Sequence, residues 1–216
     1  FGFLLSLPVN KLKGDYLALA TLGFSFVIYS IALNWSTLTR GPLGLPGIPK
    51  PSLFGITFSS NFSFLIIVVK ITLLSYLIIK KITKSRFGKV LEAIRDDELA
   101  AKVLGKNTLK LKSYSLAISA FFAGLAGSLF AHHLTFIDPS LFTILQLIPI
   151  LAIVIIGGLT SLEGTILATI ILILLPESLR FIGFSSSIIG PARQLLYALI
   201  LIIILLYKPR GFYGKV

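Results

Sequence analysis

An all-α, polytopic transmembrane helical bundle of about six spans is the fold class that this 216-residue chain predicts. Three observations carry that reading. Hydrophobic residues make up 56% of the chain and charged ones 13%, against a charged share of roughly a quarter in a soluble domain. Mean hydropathy is +0.96. The apolar residues gather into runs close to the roughly 17–25 residues that a helix needs to cross a bilayer. Such a composition excludes a disordered chain, a collagen-like chain and an ordinary soluble enzyme.

Taken in order, the runs are residues 16–33, 62–79, 113–134, 141–156, 162–175 and 192–207. The second is interrupted by Lys70. The fourth and fifth are short, so their ends extend into the turns or one of them is re-entrant. The fifth is expected to stop at Pro176, and the sixth to be entered through Gly190 and Pro191, since proline suits a helix start. Residues 34–61 are rich in Gly, Pro and Ser, and the stretch 40–51 is expected not to be helical. Residues 1–7 read as the tail of a further apolar span, without the basic region of a signal peptide. Methionine is absent and the first residue is Phe1, so spans preceding residue 1 are expected.

The net charge of +12 comes from 20 basic and 8 acidic residues. Ten of the basic residues and four acids lie within residues 80–112. Cytoplasmic loops carry excess Lys and Arg, so this loop is placed inside. Six alternating spans then put both ends of the chain inside. On that arrangement 15 basic residues are cytoplasmic, four are external and Lys70 lies within a span. The charge is thereby a topology signal, and no nucleic-acid partner is expected. The chain has no cysteine and two histidines, which excludes disulfides and Cys-ligated metals and makes a zinc site unexpected.

The basic loop carries most of the functional signal. Phe87, Val90, Leu91 and Ile94 recur at helical spacing. Asp96 and Asp97 then interrupt, and an aspartate there is a good N-cap, with Glu98 adding negative charge to the first turn of a second helix. Gly105 is placed as its C′ residue, with Lys102 and Lys106 at the negative end. The result is a short capped helix of about two turns whose alanines, Ala100 and Ala101, allow close approach. It reads as a handle for a partner protein, or as a linker lying on lipid headgroups.

Elsewhere, Lys70 costs about 2.5–3.5 kcal/mol at mid-span and so faces the bundle or a water-filled path, or else snorkels. Gly157 and Gly158 break the fourth run, either as a pathway feature or as a tight turn. Asp15 caps the first span or belongs to the pathway, and Thr21 is a further pathway candidate. The small residues Ala120, Gly124 and Gly127 suit helix packing. His132 and His133 read as interfacial caps. Tyr16, Trp35 and Tyr207 suit the membrane interface.

Glu98-Leu-Ala-Ala101 followed by Gly105 resembles the Glu-Ala-Ala…Gly coupling motif of ABC importer permeases. The wider run from Ala93 to Gly105 resembles the loop of branched-chain amino acid permeases of the LivM type. Further segments are similar in the same order: Gly14-Asp-Tyr16 with its following span, Gly41-Pro42 with Gly44, Gly124-Leu-Ala-Gly127, Gly157-Gly-Leu159 with Ser161 and Gly164, and Lys208-Pro-Arg-Gly211. The resemblance implies one permease domain over residues 1–216, with residues 80–112 as its cytoplasmic coupling loop. It implies that Glu92, Arg95, Asp97, Glu98, Ala100, Ala101 and Gly105 meet an ATPase. The implied partners are a second permease subunit, two cytosolic ATPase subunits, an extracytoplasmic solute-binding protein and membrane lipid. The implied location is a prokaryotic inner membrane, and the implied cargo branched-chain or other small neutral amino acids.

No catalytic residue is expected in this chain, and it has no GxxxxGK[ST] phosphate loop. ATP and Mg would be held by the ATPase partners. A permease for urea or amides is the nearest alternative. An ion-coupled carrier or a lipid-binding membrane scaffold is the reading from another class.

Overall fold

A computed structural model describes residues 2–3, 6, 12, 15–53, 56–57, 60–178, 186–207 and 211. The chain divides into two compact units, residues 1–140 and 141–216.

The first unit is built on α1 (Asp15–Asn34), α3 (Asn61–Lys84) and α6 (Thr108–Leu134). These have 20, 24 and 27 residues, or roughly 30–40 Å at 1.5 Å per residue. Each is long and apolar enough to cross a membrane, and none has its apolar stretch buried among the described residues. Such surfaces suit contact with lipid or with other membrane helices. Ser60 opens α3 by accepting the Phe62 N–H at 3.3 Å. Lys81 and Lys84 occupy its last turn, where the helix dipole favours positive charge. Between α3 and α6 lie α4 (Arg86–Asp96) and α5 (Glu98–Val103). The first three span expectations therefore hold, with helix ends from zero to five residues beyond those of the apolar runs.

The Pro-rich loop is more ordered than its composition suggests. After α1 comes a single turn, α2 (Ser36–Thr39), and a 3-10 turn over Gly41–Leu43. Pro42 sits in the first positions of that turn, where its missing N–H costs nothing. So the stretch expected to lack helix holds one tight turn of it. Residues Leu45–Pro46 form β1, which pairs antiparallel with β4 (Phe136–Ile137) just beyond α6. Strands β2 (Ser52–Leu53) and β3 (Ile56–Thr57) make a second small pair.

His132 Nδ1 lies 2.7 Å from the Pro49 carbonyl. That oxygen can only accept, so Nδ1 carries the proton. The His133 ring stacks on Phe64, with centroids 5.8 Å apart. The histidines diverge, as neighbours on a helix must. They are fasteners for the loop and for α3 rather than bare interfacial caps. Trp35 and Tyr16 are exposed at the two ends of α1, which fits interfacial anchoring.

The second unit contains α7 (Leu147–Gly157), α8 (Leu162–Ser178) and α9 (Ser186–Tyr207). Ala152 and Ile156 of α7 pack with Ala168 and Leu172 of α8, and Tyr197, Ile200, Leu201 and Ile204 of α9 cover them. Both buried pairs are four residues apart, so the i±4 ridges of α7 and α8 interlock. At the crossing, a Cβ on Gly157 would lie 2.6 Å from the backbone N and Cα of Thr165. Ser161 starts α8 by accepting the Gly164 N–H at 3.0 Å.

Three boundaries differ from expectation. The fourth run becomes α-helical only at Leu147, after 3-10 turns over Pro139–Phe142 and Ile144–Gln146. Its 11 α-helical residues reach roughly 16 Å, about half a bilayer core. The α8 helix continues through Pro176 to Ser178, because a proline so near the end removes one bond without breaking earlier turns. Likewise α9 starts at Ser186 and carries Pro191 inside it, again at the loss of one backbone bond. Residues 208–210, which hold the basic tail Lys208 and Arg210, and Arg180 lie outside the described residues.

Candidate coupling site

The site is built from Ser85 onward. Its hydroxyl donates to the Ile82 carbonyl at 2.6 Å, and its oxygen accepts from the Gly88 N–H. One serine thus ends α3 and starts α4. A Cβ on Gly88 would run into the Thr83 carbonyl, so the sharp fold between the two helices depends on glycine. Along α4, Leu91, Ile94 and Arg95 share one face at i, i+3 and i+4. Ile94 is buried. Glu92 is exposed. Arg95 pairs with its neighbour Asp96 at 2.7 Å, with both side chains exposed.

Asp97 breaks the chain direction. Its backbone is extended, and its Oδ1 accepts the N–H groups of Leu99 at 2.8 Å and Ala100 at 3.0 Å. That is the N-cap expected from the sequence. At the other end Gly105 has φ +76. The Gly105 N–H donates to the Lys102 carbonyl and the Lys106 N–H to that of Ala101, which is a Schellman termination. Both ends of this six-residue helix are satisfied locally, which a helix so short requires.

Glu98 fixes how α5 sits on α6. One oxygen accepts from the Thr108 hydroxyl at 3.2 Å and pairs with Lys102 at 3.0 Å. The other accepts from Lys112 Nζ at 2.6 Å. Thr108 is itself buried. The Lys112 hydrogen bond, then that from Lys102, holds the Glu98 carboxyl down at about 2 from an ordinary 4.5, against a smaller opposing effect of burial.

At 100° per residue, Glu98, Ala101 and Lys102 fall on the side of α5 that faces α6. Ala101 is 3% exposed, while Leu99, Leu104 and Val103 are 69%, 77% and 88% exposed. Ala100 is exposed with them. So one of the two alanines is a packing residue and the other lies on a bare apolar face. Sequence reasoning missed this face. Its signal was present in the helical spacing of Leu99, Val103 and Leu104, but the alanines drew attention instead. Behind α5, an open groove of about 610 Å³ runs between α4 and α6, lined by Leu91, Ile94, Arg95, Glu98, Lys112, Ser115 and Leu116.

The candidate coupling residues thus lie along one continuous segment, α4–α5. The pathway candidates do not converge in one unit. Asp15 is the first residue of α1, and its side chain lies outside the described residues. The Thr21 hydroxyl donates to the Ala18 carbonyl within α1. Lys70 is exposed on α3. Gly157 and Gly158 belong to the second unit, where Gly158 (φ +96) turns the chain out of α7. A pair that the sequence did not suggest joins α8 to α9, with Arg193 donating to Glu177 at 2.7 Å.

The family described as "Branched-chain amino acid transport system / permease component" matches residues 1–206. The chain belongs to this permease family. It is 35% identical to the high-affinity branched-chain amino acid transport system permease protein LivM of Escherichia coli and 36% identical to that of Salmonella typhimurium, over 97% of this chain and 53% of each relative. It is 26% identical to a probable branched-chain amino acid transport permease protein LivM of Methanocaldococcus jannaschii, over 97% of this chain and 63% of that protein. The chain spans about half the length of the two bacterial permeases. No solved structure matches. Membership of a transport-permease family accords with a multi-pass membrane chain that carries span-length helices.

Proposed function

We propose that this chain is a membrane-spanning part of an ATP-driven importer for branched-chain amino acids, with other small neutral amino acids as further cargo. Residues 80–112 face the cytoplasm, as does each end of the segment. Of two ATPase subunits, which hold ATP and Mg, one docks on the bare face of α5 and the other on the second permease subunit. A second permease subunit shares the membrane, and an extracytoplasmic solute-binding protein delivers the cargo.

One observation supports this reading above the rest. Helix α5 is anchored on one side by Glu98 and offers Leu99, Val103 and Leu104 bare on the other. A rigid, capped helix with an unpartnered apolar face can transmit a push, whereas a floppy linker cannot. ATP-driven closure of the ATPases would move α5, and Glu98 with its lysine partners would pass that movement to α6. Lys70, Thr21, Asp15 and the Gly157–Gly158 break are the pathway positions on this reading.

Orientation and coupling are tested together. The chain has no cysteine, so one introduced at Lys106 is the sole thiol in the chain. In right-side-out cells it should resist an impermeant maleimide and react after permeabilisation. Tagged permease should bring down an ATPase subunit, and uptake should stop on ATP depletion. Uptake that stops with an ionophore but survives ATP depletion would make the chain an ion-coupled carrier instead.

A further inference from the structure

The groove between α4 and α6 is distinct from the bare face of α5, which points the other way. Its walls are apolar at Leu91, Ile94 and Leu116 and cationic at Arg95 and Lys112. Its volume of about 610 Å³ falls in the usual range of small-ligand sites, about 300–1,000 Å³. Lys112 and Leu116 stand in the second and third turns of α6, where the lysines Lys110 and Lys112 give way to the apolar span. With α6 taken as a membrane span, this end of it puts the groove at headgroup depth. Glu98 contributes a carboxylate to the wall, but Lys112, Lys102 and Thr108 already occupy its oxygens. Arg95 pairs with Asp96 at the exposed surface, an arrangement worth little that a better anion can displace. The surrounding loop adds to the field, with ten basic residues against four acids in 80–112.

We propose that this groove binds an anionic glycerophospholipid of the surrounding membrane. Its phosphate lies against Arg95 and Lys112, and an acyl chain runs over Ile94 and Leu116 along α6. Charge complementarity selects an anionic headgroup, and the apolar wall selects a lipid over a free anion. The bound lipid wedges between α4 and α6 and holds the α4–α5 segment against the span. The proposal rests on α6 crossing a membrane and is independent of what docks on α5.

Native mass spectrometry of the intact, detergent-purified permease titrated with phosphatidylglycerol tests it. One saturable lipid is expected. Arg95→Gln should weaken it about fivefold, the effect of one basic residue near an anionic lipid surface. Arg95→Lys should keep it. The double variant Lys106→Gln/Lys110→Gln, which removes more charge but only from the general field outside the groove, should weaken it less than Arg95→Gln does. Phosphatidylcholine and inorganic phosphate should not displace it. Equal binding of phosphatidylcholine, displacement by inorganic phosphate, or an equal loss in the Lys106/Lys110 variant would overturn the proposal. So would the absence of saturable binding.

Discussion

Glu98 accepts a 2.6 Å hydrogen bond from Lys112, fourteen residues further along the chain. This bond ties the short α5 helix to the foot of a 27-residue span. The carboxylate form is the one that Lys112 and Lys102 favour, so its pKa falls from 4.5 to about 2. A depressed carboxylate stabilises the folded state fully above its unfolded value. That contribution is then lost as pH falls from about 4.5 toward 2. The protection factors of amides across residues 98–112, which remove the intrinsic pH dependence of exchange, should therefore fall over that acid window and stay level between pH 6 and 8. Glu98→Gln should exchange faster at neutral pH and show no acid step. A step of unchanged size in Glu98→Gln would assign it to another group.

The bare face of α5 lets the coupling proposal be tested apart from stability. Val103 is 88% exposed, and surface substitutions of this kind usually shift stability by within about 0.5 kcal/mol. Val103→Asp should therefore leave the thermal midpoint almost unchanged. It should nonetheless lower ATPase co-purification and uptake tenfold or more, an order-of-magnitude expectation for a charge placed in an apolar contact. Glu98→Ala should behave differently, loosening α5 and lowering the thermal midpoint as well. If Val103→Asp transports normally, the docking surface lies elsewhere.

Much of this arrangement was legible from the sequence, for local reasons. Asp97 and Gly105 act through backbone bonds to residues within four positions, so their types and spacing announce a capped helix. Spans such as 61–84 were legible because apolar length is itself the constraint in a bilayer. Contacts between distant residues left no such trace. Nothing in the sequence said that Glu98 would meet Lys112 rather than Lys102 alone, or that Glu177 would find Arg193. The direction that Ala101 takes was set by which side of α5 carried its anchor. Pro176 and Pro191 misled because each lies within two turns of a helix end, where a missing N–H removes one bond and leaves the rest of the helix intact.

The α7–α8 crossing sets a limit on Gly157. Alanine would ordinarily favour a helix by about 1 kcal/mol over glycine. Here its Cβ would lie 2.6 Å from backbone atoms of Thr165, which cannot move aside as a side chain can. Gly157→Ala should destabilise by about 1–3 kcal/mol, the usual cost of overpacking. A helical glycine with open space around it, Gly124, serves as the contrast. Gly124→Ala should be neutral or slightly stabilising in the same thermal assay in detergent. Equal effects at both positions would mean that the crossing opens more easily than its geometry implies.

His132 offers the last test, at the far end of α6 from Lys112. Its Nδ1–H holds the Pro49 carbonyl at 2.7 Å, and next to it the Ile48 N–H donates to the Thr135 carbonyl at 3.0 Å. The two bonds close the Pro-rich loop onto the end of the span. His132→Leu keeps the bulk but removes the donor, a loss of about 1 kcal/mol for a bond of this kind. The loss should be local, because β1 and β4 still pair through Leu45 and Ile137. The Ile48 amide should then exchange about fivefold faster, the ratio that 1 kcal/mol implies, while amides in the middle of α6 keep their rates. Equal quickening of the Ile48 amide and of amides in the middle of α6 would mean that the loop and the span open together.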